Sequence, residues 1–356
     1  MSLRGTKSRS NLRAGSEQAS QSQSLLKEQF QVGKYEGNKW GGKYLRAPDI
    51  FFTILEKGKG KLVRLGDIAE VRRGFTTGCN EFFYLPSKYF DIKKDDKYYE
   101  LIPKDKDQPE GIRIEEEYLP FAVLSPRDVD SLYIKSSDLN KHLLLLDQKA
   151  KLSQGLNMYI KWGERQKFNQ RPTCKPRDKW WSLSGRPECF LACNYLVNDY
   201  MRFYCSRKGT WFSDNFQEIH YSKSYVSLAV VLNSIVSQFF INMIGRSNFG
   251  GGLLKIQTYE VSDLLSVDPS RIKHNDKYME EVLIRFSDKC NLSIYDQCGL
   301  NSAHPVREQK PNPLPDRKAL DDIVFNILNL TEDERQEVYW AVCELVKNRL
   351  DKARSV

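Results

Sequence analysis

Residues 64–85 constrain the fold of this chain more than any other stretch. They begin with an amphipathic segment in which Leu65, Ile68 and Val71 are apolar, continue into a loop with two glycines, and end in the aromatic run 82–85. Glycine adopts backbone angles that other residues resist and lets a neighbouring chain approach closely. The order therefore predicts an amphipathic element, a tight loop and a strand, which together form a corner of a folded domain.

The same loop carries side chains that suit a nucleic acid. Arg72 and Arg73 lie just before it, and Thr76, Thr77 and Asn80 lie on it. Guanidinium groups bind phosphates as planar forks, and arginine or amide side chains pair with base edges. A well-capped structural corner uses similar residues, so the loop alone leaves both interpretations open.

The segment 161–186 is the second candidate surface. It has eight basic and two acidic residues, a net charge of +6 out of +9 for the whole chain. Cations near phosphates release counterions, and aromatic rings can stack on bases. In the alternative interpretation, the segment is a solvated basic loop whose tryptophans pack inward. The candidate DNA contacts here are Lys161, Arg165, Lys167, Asn169, Gln170, Arg171, Lys175, Arg177, Lys179 and Trp180.

Charge and cysteine content narrow the class of protein. The chain has 55 basic and 46 acidic residues, which favours a polyanionic partner. Its eight cysteines include no Cys-x-x-Cys pair, so we expect reduced thiols in a cytoplasm. Cys189, Cys193 and His220 lack a fourth ligand at a suitable spacing, and we expect no metal site. The polar residues 1–24 contain no secretory signal.

Apolar patterning predicts an α+β fold. Short apolar runs between residues 61 and 216 predict a mixed, mostly antiparallel β domain, with helices at 142–150 and 152–162. The long apolar run 225–244 is interrupted by six polar residues. We therefore expect it to be a buried helix of a soluble protein, with no membrane partner.

The C-terminal part is expected to be helical. Residues 253–261 should form a strand, and helices should follow at 316–328 and from Thr331, where Thr331 and Glu334 can form a capping box. The expected organisation is an extended linker (1–38), a docking segment (39–60), a main domain (61–270), a polar connector containing prolines (271–315) and a helical tail (316–356).

The loop motif resembles a known family. Residues 65–68 read Leu-Gly-Asp-Ile, and Gly74, Thr77, Gly78 and Asn80 follow before the aromatic run. This order resembles the TaqI-like C-terminal specificity domain of bacterial adenine-N6 DNA methyltransferases and of fused type IIG restriction-modification proteins. Three further segments, which are 39–52, 250–261 and the tail from about residue 317, resemble the same proteins. The resemblance thus covers most of the chain from residue 39 onward.

The resemblance implies a division of labour between two domains. The main domain would be a DNA target-recognition domain that binds double-stranded DNA, with Lys255 as a further phosphate contact. A methyltransferase catalytic domain, in cis or in trans, would bind S-adenosylmethionine, flip the target adenine and methylate its exocyclic amine. We expect that catalytic domain to lie outside this chain.

Catalytic motifs are not found in the sequence. Adenine methyltransferases hold the flipped base with an Asn/Asp-Pro-Pro-Tyr/Phe motif, and this chain has no Pro-Pro pair. Residues 249–252 resemble a cofactor loop in composition only, because a helix precedes them and a strand follows. We therefore expect no catalytic residue and no cofactor in this chain. Two other functions stay open, namely a freestanding specificity subunit that recruits methyltransferase chains and an RNA-binding protein whose tryptophans stack on bases.

Overall fold

The fold is α+β, as predicted, and mostly antiparallel. The computed structural model describes residues 47–183, 186–245, 250–289 and 291–354. Its helices are α1 (Asp49–Lys57), α2 (Leu65–Ile68), α3 (Asn80–Phe83), α4 (Gln154–Arg165), α5 (Tyr225–Asn233), α6 (Ile235–Ile244), α7 (Thr258–Ser262), α8 (Asp276–Ser287), α9 (Ile294–Cys298), α10 (Pro315–Leu328) and α11 (Glu332–Arg354). Its strands are β1 (Leu62–Arg64), β2 (Glu70–Arg73), β3 (Tyr84–Leu85), β4 (Phe90–Asp95), β5 (Tyr98–Pro103), β6 (Ile112–Glu115), β7 (Ala122–Val123), β8 (Tyr133–Ile134), β9 (His142–Leu143), β10 (Cys189–Asn194), β11 (Leu196–Val197), β12 (Phe203–Phe212), β13 (Phe216–His220), β14 (Leu254–Lys255) and β15 (Leu265–Val267).

The largest sheet has the strand order β2-β13-β10-β12-β7, and β8 also pairs with β12. The pairs β2–β13, β13–β10 and β10–β12 are antiparallel, whereas β7 and β8 run parallel to β12. Strands β4, β5 and β6 form a separate antiparallel sheet. The remaining strands pair two by two, as β1 with β15, β3 with β9, and β11 with β14.

Two hydrophobic cores divide the molecule. The small lobe, which we define as residues 75–122 and 142–183, surrounds one core, and the rest of the described chain forms the large lobe around the other. Strand β12 joins them, because Trp211 packs in the core of the small lobe and the next residue, Phe212, packs in that of the large lobe. Successive side chains of a strand point to opposite faces, so one strand can serve both cores.

The apolar run 225–244 forms two helices rather than one. Helices α5 and α6 are bent by 67° at a break between them. Ser234 lies at the break, with Oγ donating to Val231 O at 2.6 Å and accepting from Ser237 N at 3.3 Å. No single helix of the described ranges is long and apolar enough to cross a membrane. Within those ranges, only this bent pair, taken as one segment, has the length and apolar composition of a membrane span.

Two predicted elements are wrong, one because distant partners determine the backbone conformation and one because a local cap does. The helix predicted at 142–150 does not form: His142–Leu143 is strand β9 and no helix follows it, since Leu143 N and Leu145 N donate to Pro120 O and Tyr118 O. In the predicted strand 253–261, only Leu254–Lys255 pairs as a strand. Helix α7 takes up the part from Thr258 onward, because Glu260 accepts from the backbone N–H of Gln257 and stabilises a helical turn there.

The aromatic run and the connector also differ from expectation. Phe82 and Phe83 belong to the helical turn α3, and the strand begins only at Tyr84. Residues 271–315 were expected to be a polar hinge, but they contain α8 and α9, which bury apolar side chains such as Phe286 and Ile294. Their amphipathic faces pack into the core of the large lobe. The boundaries of the expected domains stay predictions, and residues 1–46 lie outside the described ranges.

The tail helices lie where the sequence predicts them. Pro315 begins α10, and Thr331 N donates to Glu334 Oε2 at 2.7 Å while Glu334 N donates to Thr331 Oγ1 at 3.3 Å. Val338, Val342 and Val346 of α11 are buried against the large lobe. The apolar stripe of α11 therefore docks within the chain.

A buried ion pair joins the tail to the rest of the large lobe. Arg317 is fully buried, and its guanidinium donates to Asp321 at 2.7 and 2.8 Å and to Asn233 O at 2.7 Å. Asp321 also accepts from Ile235 N at 2.7 Å and from the Tyr339 hydroxyl at 2.9 Å. Burial, and then the Asp321 carboxylate, raise the pKa of Tyr339, so that its hydroxyl stays protonated and donates.

Replacing Asp321 should destabilise the protein far more than the same change at the next residue. Asp321→Asn leaves a buried guanidinium without its counter-charge, and we expect the free energy of unfolding to fall by about 3–5 kcal/mol. Asp322→Asn is the control, because its ion pairs with Lys318 and Arg335 are partly exposed and should contribute about 0–1 kcal/mol. Urea denaturation measures both. Equal losses would contradict the assignment of the buried pair.

Candidate nucleic-acid interface

The loop between β2 and α3 is held tightly against the sheet. Gly74 N donates to Phe216 O at 3.0 Å, and a Cβ added at Gly74 would lie 2.0 Å from Ser213 O. Gly78 has φ +80°, and a Cβ there would lie 2.7 Å from Thr173 Cβ. Both positions therefore require glycine, one for close backbone approach and one for a left-handed backbone conformation as well.

Thr77 and Asn80 organise the loop from inside. Thr77 is buried, and its hydroxyl donates to Asn80 Oδ1 at 2.5 Å and accepts from Cys79 N at 3.2 Å. The side chain of Thr77 therefore faces the protein and not the surface, and its contact with DNA stays a prediction. Thr76 and Asn80 are exposed at the surface. Thr77 uses only the amide oxygen of Asn80, and the amide nitrogen makes no hydrogen bond with the described residues, so Asn80 keeps its donor.

Three contacts fasten the basic segment to this loop. Arg171 forms a bidentate ion pair with Glu81, at 2.7 and 3.0 Å. Arg177 Nη2 donates to Thr77 O at 2.6 Å, and Thr173 Oγ1 donates to Gly78 O at 2.7 Å. Hydrogen bonding from Arg171 lowers the pKa of Glu81 to about 2. The two surfaces predicted separately from sequence thus form one continuous face.

The aromatic side chains of the basic segment pack inward. Trp162, Phe168, Trp180 and Trp181 are all buried in the small lobe. Trp180 Nε1 donates to Glu164 Oε1 at 3.2 Å, and its ring centroid lies 4.6 Å from that of Phe82. The ring of Trp180 forms part of the core and does not lie on the surface, and its contact with DNA stays a prediction. The interpretation in which the tryptophans pack inward holds for these rings.

The remaining candidates of the segment lie at or near the surface. Lys179 is anchored, since its ammonium donates to Gln148 O and lies 5.1 Å from the Trp181 ring. Asn169 is half-buried, and its Oδ1 accepts no hydrogen bond from the described residues. The exposed side chains are Lys161, Arg165, Lys167, Gln170, Lys175 and Lys179.

The arginines of β2 extend this face along the edge of the largest sheet. Arg73 is 67% exposed and lies 3.2 Å from Asp214, whereas Arg72 pairs with Glu70 of its own strand. Lys255 belongs to strand β14 in the large lobe. The next residue, Ile256, accepts a hydrogen bond from Gln217, which lies opposite Arg73 in the sheet.

A half-enclosed pocket of about 370 Å³ opens where the loop meets the basic segment. Its lining includes Gln148, Asp178 and Arg186, which were not among the predicted contacts. Arg186 belongs to the basic segment and could have been chosen on charge alone. Gln148 gave no signal in the sequence, because it reaches the pocket from a different segment of the small lobe.

The cysteines of the described ranges form neither a disulfide nor a metal site. The seven that lie in the described ranges are unpaired and buried, and burial raises the pKa of Cys189 to about 12. Among the described residues, no group of three or more His, Cys, Asp and Glu side chains is arranged to hold a metal ion.

Comparison with protein families identifies the domain. The family model described as the C-terminal domain of the type II methyltransferase M.Eco57I matches residues 37–297. The chain belongs to this family. As a member of the M.Eco57I C-terminal domain family, this chain is a C-terminal specificity domain related to restriction-modification enzymes. No match was found among curated proteins.

A solved structure shares the fold. It is described as the type IIG restriction endonuclease BpuSI and aligns with a TM-score of 0.51 and 12% sequence identity. The alignment covers 86% of this chain and 34% of that one. The M.Eco57I-type chain therefore spans about a third of the length of this relative, and the likeness concerns the fold.

Replacing Glu81 should change how stability depends on pH. The pKa of Glu81 is lowered from 4.5 to about 2 in the folded protein. Its ion pair with Arg171 therefore stabilises the fold above about pH 4.5, and this contribution is lost as the pH falls towards 2. In Glu81→Gln the free energy of unfolding should be lower at pH 6 and should fall less steeply on acidification. Urea titrations between pH 6 and pH 3 measure this.

The control is Glu110→Gln, which removes an exposed carboxylate from a turn of the same lobe. It should follow the wild-type pH dependence. A Glu81→Gln curve parallel to wild type would show that the Arg171 contact does not stabilise the fold.

Proposed function

We propose that this domain recognises specific sequences in double-stranded DNA as the target-recognition part of a bacterial adenine-specific DNA methyltransferase or restriction-modification enzyme. The observation that carries the proposal is the joined face of the 74–80 loop and the basic segment. There, exposed cations lie beside polar side chains on a tightly packed lobe. Membership of the M.Eco57I C-terminal domain family supports the same function.

The face suits a duplex better than unpaired bases. Its lysines and arginines can neutralise phosphates, which fixes the position of the protein on DNA. Stacking on single strands needs exposed rings, but the four rings of the segment are buried. The buried tryptophans therefore remove the observation on which the RNA-binding alternative depended.

Sequence would be read by the exposed polar groups of the face. Arg73 can place its guanidinium against guanine O6 and N7, and the amides of Asn80 and Gln170 can pair with adenine N6 and N7. Arg171 and Arg177 use part of their donor capacity on Glu81 and Thr77. They hold the face in shape, and their remaining N–H groups can still reach phosphates.

In this proposal, a methyltransferase catalytic domain supplies the chemistry. That domain, in cis or in trans, would bind S-adenosylmethionine and methylate the flipped adenine, in a bacterial cytoplasm. Helix α1 follows directly on residues 39–46 of the expected docking segment and packs Ile50, Phe51 and Ile54 into the large lobe. It offers a firm attachment point for a preceding domain.

Selection from a randomised duplex pool tests the proposal. The 356-residue chain is incubated with the pool at low and moderate salt, and the bound DNA is sequenced. An enriched short motif that is weakened by Arg73→Ala or Asn80→Ala supports sequence recognition. Salt-sensitive binding with no enriched motif would contradict it, since the face would then hold only phosphates.

Binding should weaken steeply with salt. If about six phosphate contacts form, the slope of log K against log salt should be near −5. Lys161→Ala and Lys175→Ala should each make the slope less steep by about 0.9, because each removes one phosphate contact. Lys277→Ala, an exposed lysine of α8 in the large lobe, is the matched control and should leave the slope unchanged. Equal effects of all three changes would mean that the binding surface lies elsewhere.

A further inference from the structure

The pocket of about 370 Å³ between the loop and the basic segment differs in chemistry from the cationic face around it. The loop contributes Thr76, the basic segment contributes Asp178 and Ser182, and Gln148 comes from the chain that follows β9. Oxygen and amide groups therefore line the pocket together with Phe75, Pro176, Leu183 and two arginines. The arginines suit phosphates, whereas the carboxylate of Asp178 does not, so it suits a different contact.

Two arginines also line the pocket and are fixed by the protein. Arg177 donates to Thr77 O at 2.6 Å, and Arg186 donates to Arg73 O at 3.1 Å with its guanidinium 5.4 Å from the Phe75 ring. Each guanidinium has five N–H donors, so each retains donors for a phosphate. A duplex whose phosphates bind these arginines would bring a base edge close to the oxygen and amide groups of the same pocket.

Asp178 is the informative residue of the lining. It is exposed between two cationic residues, and in the described part of the chain its carboxylate makes no ion pair or hydrogen bond with protein. A negative charge repels phosphates. A carboxylate at this position therefore lowers the affinity of the protein for the DNA backbone. A carboxylate is, however, an acceptor only, and it can discriminate between base edges.

Gln148 complements this carboxylate. Its backbone carbonyl is fixed by Lys179 Nζ, whereas its exposed side-chain amide makes no hydrogen bond with the described protein. The amide offers one donor group and one acceptor group, which is the pattern that matches adenine N6 and N7. The pocket thus presents acceptors to an exocyclic amine.

We propose that Asp178 and Gln148 form a base-reading pocket that selects an amino-bearing base, adenine or cytosine, in the major groove and rejects the keto-bearing bases guanine and thymine. This inference rests on the proposed function and deepens it. The Asp178 carboxylate accepts from cytosine N4 or adenine N6 and repels the carbonyl oxygens of guanine and thymine. Arg177 and Arg186 position the flanking phosphates.

Substitution at Asp178 tests this directly. Wild-type chain, Asp178→Asn, Gln148→Ala and Asp107→Asn are compared by selection from a randomised duplex pool, followed by affinity measurements on the selected duplex and its single-base variants. Asp107→Asn is the matched control, because it removes one exposed carboxylate from the same lobe and changes the net charge equally. Thermal melting checks that all four proteins are folded.

The expected result is a change of preference at one base pair. Wild type should favour adenine or cytosine there by about 5- to 150-fold. Asp178→Asn, whose amide can donate to a carbonyl oxygen, should accept guanine or thymine at that position and leave the other positions unchanged. Gln148→Ala should reduce the preference at the same or the adjacent base pair. Asp107→Asn should select the wild-type motif.

The two proposals fail in different ways. A wild-type motif that Asp178→Asn and Gln148→Ala both leave unchanged would overturn the reading pocket while the proposed function stands. Tighter binding by Asp178→Asn and Asp107→Asn alike, with the same motif, would mean that the carboxylate contributes only charge and would also overturn it. If wild type selects no motif at all, sequence recognition by this chain is wrong, and the pocket fails with it.

Discussion

The helices of the large lobe are joined by one buried ion pair, Arg317 with Asp321. The Arg317 guanidinium lies among helices, where an unpaired cation would be strongly unfavourable, and its partners come from different parts of the chain. Asp321 lies one turn along α10, Asn233 ends α5, and Gln297 belongs to α9. Asp321 in turn caps the first N–H of α6 and accepts from Tyr339 of α11. The break between α5 and α6, the segment expected to be a hinge and the two tail helices are therefore held by a single network of hydrogen bonds.

The small lobe is built on this platform through a shared strand. Strand β12 belongs to the largest sheet, and adjacent residues of it enter the two cores. The loop after β2 lies against its end, where Phe75 N donates to Phe212 O. Arg171 and Arg177 then fasten the basic segment to that loop. These two arginines thus bind protein acceptors. Their contacts fix the shape of the face, and the exposed lysines lie on it.

On the proposed interface, buried aromatic rings determine the shape and exposed cations supply the charge. The aromatic rings that alternate with the cations are buried and determine where the backbone of the basic segment runs. The cations remain outside because their desolvation is unfavourable without a partner. What distinguishes this face from a generic basic surface is the small polar pocket within it, where Asp178 and Gln148 offer acceptors among the positive charges. Family membership identifies the type of domain, and the pocket is the place at which we propose that a base is read.

The sequence by itself determined the α+β class, the family, the basic segment and those elements whose signals are local. Helix α10 has the expected bounds to within one residue, and the capping box of Thr331 and Glu334 forms as predicted. Only the tertiary structure decided that Thr77 and Trp180 face inward, that residues 142–150 are not helical, and that Gln148 and Asp178 share a pocket. The physical reason is the range of the interactions. Capping, periodicity and charge act within a few residues, whereas burial and hydrogen-bond partners come from segments that are distant in the chain and adjacent only after folding.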